Sequence, residues 1–469
     1  MENINWLNEV EKRKEQLIQD TQQFLQIKSV LDESTKTKEM PFGEGIHRAL
    51  THLLQLGEKD GFKTKNVDGY AGHIEMGSGK ELIGILCHVD VVPEGDGWST
   101  NPYGAEIKDG NIYARGAIDD KGPTMAAYYA MKIVKELNLP LNKRVRIILG
   151  TDEESSWQCV DHYFKHEEMP IMGFAPDADF PIIYAEKGIA DFDLIQNSSL
   201  STEGTIVLKT FQSGRRYNMV PDFAEAILVV NDSSVDLSSS FETFLQEREL
   251  QGKVNVEGQL VTLKLEGVSA HGSVPELGEN AGLILSQFLH TLPLDEQAKE
   301  FIGYVYQYFV GDTTGEKLNV NYSDDITGKL TINVGILHYD KTKGGKIGVN
   351  TRYPVTANIE KTIDTIRQMS AAYHMNVENV SDSKPHHVEQ DHELIKTLQK
   401  VYTEQTGEEA TLLSIGGGTY ARSLKAGVAF GPLFPGREEL AHQKDEYIMI
   451  EDMLKAAAIY AQAIYELAK

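Results

Sequence analysis

The chain has 469 residues, 41% hydrophobic and 25% charged, an ordinary balance for a globular protein and long enough for two or three domains. Its formal net charge of −25 argues against nucleic acid and against anionic membrane surfaces as partners. Two cysteines, Cys87 and Cys159, cannot supply a disulfide framework for a chain of this length.

Met1 to Gln26 is amphipathic, with Trp6, Val10, Leu17 and Phe24 at helical spacing, and lacks the uninterrupted apolar core of a signal peptide. No stretch reaches the roughly 18 to 20 apolar residues of a membrane span. A reducing, cytoplasmic location is therefore expected. His47–Leu56 predicts a helix with Leu50, Leu53 and Leu54 on one side. Leu82–Cys87 (LIGILC) and Val145–Leu149 (VRIIL) predict buried strands, with a helix over Met125–Leu137 that Pro140 ends. This alternation implies an α/β domain, a mostly parallel mixed sheet with helices on both faces. From about Gly188 to about Asp382 the strands alternate in hydrophobicity, as in Val261-Thr262-Leu263-Lys264-Leu265, which fits an α+β region with sheets exposed on one face. Chemistry-bearing motifs resume only beyond it, so the middle is expected to be an insertion. The expected division is 1–187 and 383–469 for the α/β domain and 188–382 for the insert, itself two α+β subdomains. An alanine-rich helix over Glu451–Leu467 closes the chain.

Five candidate metal ligands are scattered through the α/β segments: His88, Asp119, Glu154, Asp177 and His442. An imidazole at each end with carboxylates between is the ligand set of a two-metal hydrolytic site. In Cys87-His88-Val89-Asp90, alternation along a strand turns His88 and Asp90 the same way, and a carboxylate beside a ligating histidine can fix its tautomer. Asp119 stands in Arg115-Gly116-Ala117-Ile118-Asp119-Asp120-Lys121-Gly122, a loop whose glycines permit tight turns and whose carboxylate could bridge two cations. Thr151-Asp152-Glu153-Glu154-Ser155 follows a strand directly, and adjacent side chains diverge, so one glutamate can bind metal while the other faces water. Pro176-Asp177 and Leu440-Ala441-His442-Gln443 complete the set. Singly, each also reads as a surface turn or an acidic helix start.

Together, in this order and spacing, the motifs resemble the M20 family of metallopeptidases over nearly the whole chain. Length and the large middle region are similar to the dipeptidase V (PepV) branch. The resemblance implies that Asp119 bridges two divalent metal ions, zinc ahead of manganese, since these ligands accept both. It implies that His88 and Asp177 complete one metal and Glu154 and His442 the other. Glu153 is then the general base, Asp90 orients His88, and the Asp119–Asp120 peptide bond is cis. Two divalent cations bring four positive charges and Asp119, Glu154 and Asp177 remove three, leaving a site that favours hydroxide and an oxyanion.

Three motifs of the insert resemble the family's substrate contacts. His271, in Ser269-Ala270-His271-Gly272-Ser273, matches the histidine of the family's lid. Asn218, in Tyr217-Asn218-Met219-Val220-Pro221, would assist the oxyanion. Arg352, in Asn350-Thr351-Arg352-Tyr353-Pro354, would grip the substrate's free carboxylate, which an arginine fork fits. Gly416 and Gly417, in Ser414-Ile415-Gly416-Gly417-Gly418-Thr419, could line the cleft with backbone amides, without the Lys-Ser/Thr ending of a nucleotide-binding loop. Pro385-His386-His387 with His392 reads as ordinary surface. The expected activity is a cytoplasmic metallo-exopeptidase that hydrolyses unblocked dipeptides. Two alternatives stay open: a deacylase of N-acyl amino acids with the same metal site, and a non-catalytic metal-binding homologue. The insert is long enough to supply His271 in cis, so a monomer is expected.

Overall fold

The structure, a computed structural model, describes residues 4–197, 200–232 and 234–469. Contacts divide it into two compact units. One comprises Met1–Ala185, His387–Ser414 and Thr419–Lys469, and the other Glu186–His386 with Ile415–Gly418.

The first unit is built on a sheet whose centre is four parallel strands, in the order Arg144–Gly150, Leu82–His88, Met172–Ala175 and Gly427–Ala429. Every residue of Leu82–His88 is buried, as a strand covered on both faces requires. Gly72, on the adjoining strand Ala71–Met76, faces Leu50 and Leu54 of the helix Glu44–Lys59. Its neighbour His73 meets Tyr163 of the helix Gln158–His166. Successive strand residues point to opposite faces, so these two helices cover the two sides of the sheet. The expectation of a mostly parallel sheet needs correction at its flanks. Lys63–Val67 and Ala71–Met76 form a hairpin that joins the centre antiparallel, and Ile182–Glu186 pairs antiparallel with Gly427–Ala429. The turn between the hairpin strands is too short for a parallel crossover.

Local expectations shift by a few residues at most. The helix expected from Met125 starts at Lys121 and ends at Glu136, ahead of Pro140. The N-terminal stretch divides into Trp6–Glu11 and Lys14–Leu25, yet Trp6, Val10, Leu17 and Phe24 are all buried; residues 1–3 of that expectation lie outside the described ones. The closing helix, Ile450–Ala468, buries its alanines and packs along Lys121–Glu136.

The second unit holds one antiparallel sheet of eight strands: Gly252–Glu257, Leu260–Glu266, Phe223–Val230, Ile206–Ser213, Thr331–Asp340, Gly344–Tyr353, Gly188–Gln196 and Met375–Ser383. Val261, Leu263 and Leu265 are buried while Lys264 and Glu266 are exposed, the alternation of a sheet with one covered face. Helices Leu237–Glu247 and Ala281–His290 pack on the first half of the strand order, and Glu296–Tyr308 and Ile359–Ala371 on the second. Both halves share one sheet.

Candidate active site

Three of the expected ligands stand where parallel strands of the first unit end. His88 is the last residue of its strand, Glu154 follows Arg144–Gly150, and Asp177 follows Met172–Ala175. The carboxyl ends of such strands are where open α/β sheets gather binding groups. Asp119 lies just ahead of the helix Lys121–Glu136, and His442 in the loop before the strand Tyr447–Met449.

The five converge around Asp119. His88 Nε2 is 3.0 Å from Asp119 Oδ1 and 3.6 Å from Asp177 Oδ2. His442 Nε2 is 3.1 Å from Asp119 Oδ2 and 2.9 Å from Glu154 Oε2. One aspartate thus offers a different oxygen to each of two clusters, His88–Asp119–Asp177 and Asp119–Glu154–His442. Glu153 joins a third grouping with His88 and Glu154. The Asp119–Asp120 peptide bond is cis.

The groups that hold these ligands were only partly expected. His88 Nδ1 lies 2.9 Å from the backbone carbonyl of Asp90 and 3.4 Å from its carboxylate. Both are acceptors, so Nδ1 donates to Asp90 and fixes the ring with Nε2 turned to the aspartates. The Asp90 carboxylate itself accepts the backbone N–H groups of Glu153 (3.2 Å) and Glu154 (3.0 Å), tying their loop to the end of the His88 strand. Asp120 is fully buried and accepts from the His88 backbone N–H and the Thr124 hydroxyl.

Sequence reasoning missed Glu446. It is buried and accepts four hydrogen bonds, from Arg115 Nη1 at 2.7 Å and from the backbone N–H groups of Gly116, Ile118 and Asp119. It therefore fastens the Asp119 loop to the His442 loop. Gly116 makes that loop possible, with φ +86° and Val91 Cγ1 only 2.8 Å from where a Cβ would stand. In sequence Glu446 is one more acid in a charged stretch, and its partners lie about 330 residues away.

The electrostatics call for added positive charge. Burial pushes the Glu154 carboxyl up to about 7 and Asp177 up to about 6, with the Asp119 charge reinforcing both. Burial also raises Glu153 well above the carboxylate range, helped by Asp177, Glu154 and Asp119 against the pull of His88. Hydrogen bonds to Asp119 and Glu154 raise His442 to about 10. Asp119, although buried, is held well below the usual range by His442 and His88. Four crowded acids beside two imidazoles can all ionise only if cations balance them. Glu154 Oε1 is moreover buried without a hydrogen-bond partner. The donor set of carboxylate and imidazole, the shared Asp119 and this orphaned oxygen fit two divalent ions.

The second unit gathers the remaining candidates. Met219 and His271 form an isolated bridge, and Gly272 N–H donates to the Asn218 carbonyl at 2.7 Å. Arg352 is buried in the strand Gly344–Tyr353. It donates from Nε to Asn350 Oδ1 (2.9 Å) and from Nη1 to the Gly416 carbonyl (3.0 Å). Gly416 comes so close to Ser273 that an added Cβ would stand 2.9 Å from the Ser273 Cβ. Burial, then the Arg352 charge, lowers the His271 pKa. Gly417 follows in the same loop. Of the histidines read as surface, His392 caps the helix Glu393–Thr406 by accepting the Leu394 N–H.

Fold and site define a hydrolase of the metallopeptidase kind. The chain matches the profile of peptidase family M20/M25/M40 over residues 84–466, and it belongs to that family. It is 58% identical over 467 residues to the Bacillus subtilis (strain 168) protein named "Putative dipeptidase YtjP", covering 99% of this chain and 100% of that one. A Staphylococcus epidermidis protein named "Putative dipeptidase" is 46% identical over 464 residues, 98% of this chain and 99% of its own. Among solved structures, aminoacylhistidine dipeptidase from Vibrio alginolyticus has a similar fold (TM-score 0.58, 12% identity, 96% of both chains). No helix among the described residues is long and apolar enough to cross a membrane.

Proposed function

We propose that the protein is a dipeptidase of the dipeptidase V type that hydrolyses unblocked dipeptides with two divalent metal ions, zinc ahead of manganese. The observation that carries this reading is Asp119, whose two carboxylate oxygens face separate ligand clusters. When bound, the two ions would acidify water and offset the negative charge that develops on the peptide carbonyl. His88, Asp119 and Asp177 would hold one, and Asp119, Glu154 and His442 the other. Glu153, on a loop held by Asp90, takes a proton from water at its carboxylate and delivers it to the leaving nitrogen. Water adds across the C–N bond, and the products are a carboxylic acid and an amine.

For the second unit, acting as an inserted lid, the proposed role is substrate recognition. Arg352 receives the dipeptide's terminal carboxylate, and Asn218 and His271 assist the carbonyl oxygen. His271 serves within its own chain, so the enzyme works as a monomer. Mixing a His271→Ala chain with a Glu153→Gln chain tests this, since recovered activity would reveal exchange between subunits. The activity itself is tested with the metal-loaded protein on unblocked dipeptides and their N-acetyl counterparts. Turnover of the free dipeptides is expected. Turnover of the acetylated series alone would replace this reading with a deacylase.

A further inference from the structure

Away from the Asp119 centre, the first unit carries another grouping with metal-ligand chemistry. His162 and His166 stand one turn apart in the last turns of the helix Gln158–His166, and Asp68 faces them from the turn between Lys63–Val67 and Ala71–Met76. One ligand atom from each residue lies within 4.8 Å of the others. Histidines at i and i+4 share a helix face, the spacing used to grip one ion from a single helix.

The protonation pattern suits a ligand role. His166 Nδ1 lies 2.9 Å from the His162 backbone carbonyl, so it carries the proton and leaves the Nε2 lone pair outward. His162 Nε2 already points at Asp68 Oδ2, 2.9 Å away. Tyr70 stacks on the His162 ring at 4.3 Å and His166 lies along it at 4.2 Å, which restricts the imidazoles before any ion arrives. A cation here also sits by the helix C-terminus, whose carbonyl ends favour positive charge. Four-coordinate zinc keeps its ligands about 2.0 to 2.2 Å away. Asp68 and His166 are exposed, so water can complete such a shell.

We propose that Asp68, His162 and His166 form a separate site for one imidazole-preferring divalent ion, of the zinc, nickel and copper class rather than magnesium or calcium. The ion fastens the turn at Asp68 to the end of the helix that follows the Glu153–Glu154 loop, with water completing its coordination. The inference does not depend on the catalytic reading.

The test is zinc content. Metal-stripped full-length protein is dialysed against low micromolar free zinc and assayed by elemental analysis, as wild type, His166→Gln, Asp68→Asn and Glu154→Gln. Wild type should carry one ion more than either His166→Gln or Asp68→Asn, both changes at exposed positions that leave peptidase activity unchanged. Adding His166→Gln to Glu154→Gln should remove one further ion, which separates this site from the Asp119 centre. With copper(II), wild type should show a nitrogen-coordinated electron paramagnetic resonance signal that His166→Gln loses. Equal zinc content in wild type and both surface variants would overturn the proposal.

Discussion

In the first unit Asp119, Glu153, Glu154 and Asp177 crowd around two histidines, and burial lifts three of those carboxyls above their ordinary range. In the second, Arg352 gathers with His271, Asn218 and the glycine-rich loop at Gly416, and its charge helps lower the His271 pKa. The first cluster is short of positive charge and suits cations. The second presents a guanidinium and suits an anionic group. The two also differ in how they are held. The first rests on the ends of parallel strands buried on both faces, and the second on an antiparallel sheet and the loops beside it. The proposed dipeptide hydrolysis would use both kinds of recognition, one at the reacting bond and one at the substrate's free end.

The largest effect that could break this comparison is at Glu153. Glu153→Gln should retain bound metal and lose ~10²- to 10⁴-fold in turnover, the usual contribution of a general base. Steady-state kinetics with metal analysis decides it, and near-normal turnover would remove Glu153 from the role.

Next comes Glu446. Glu446→Gln leaves Arg115 buried beside a neutral amide and takes away one of two accepting oxygens. Breaking a buried pair in this way costs about 3 to 5 kcal/mol. Chemical denaturation should show that loss, and metal affinity should fall because both Asp119 and His442 lose their tether. Unchanged stability would mean the four hydrogen bonds contribute little.

His73 sharpens the contrast through pH. Burial, then the Arg146 charge, lowers its pKa to about 4. A histidine whose folded pKa is depressed contributes fully above its unfolded value near 6.5, and the contribution is lost as pH falls toward 4. The loss amounts to about 3 kcal/mol at the lower end. Wild type should therefore lose stability between pH 6.5 and 4.5 more steeply than His73→Gln, followed by denaturant unfolding. Parallel pH profiles would exclude His73 as the cause.

At the second cluster, a charge-assisted bond contributes about 1.5 to 3 kcal/mol. Wild type should prefer a dipeptide acid over its C-terminal amide by roughly that margin in kcat/KM, and Arg352→Ala should lose most of the preference. Equal cleavage of acid and amide by wild type would sink the carboxylate role.

What the sequence made legible follows from distance along the chain. His88 stands out because it ends an uninterrupted apolar run, and Glu153 and Glu154 because they closely follow the apolar run Ile147–Leu149, both short runs flanked by turn residues as buried strands are. Asp177 and His442 are weak alone and gain meaning only from the order of the whole set. Glu446 was invisible because three of its four partners are backbone amides, which leave no mark on side-chain identity, and the fourth, Arg115, lies 331 residues away. Asp90 was read as a partner for His88, and beyond that its carboxylate holds the amides of the Glu153–Glu154 loop. The Asp68–His162–His166 grouping escaped notice because Asp68 arrives from a turn 94 residues before His162. The antiparallel flanks of the first sheet were lost for a different reason: alternating helix and strand patterns report the crossovers and say little about a hairpin at the edge.

The most direct test of the central claim is a count of metal ions in Asp119 and His442 variants, made in a His166→Gln background so that only the Asp119 centre is read. The background protein should hold two ions per chain. His442→Ala should keep one, and Asp119→Ala should lose both at the same free zinc concentration. An Asp119→Ala protein that still holds two ions would contradict a centre built on a shared aspartate.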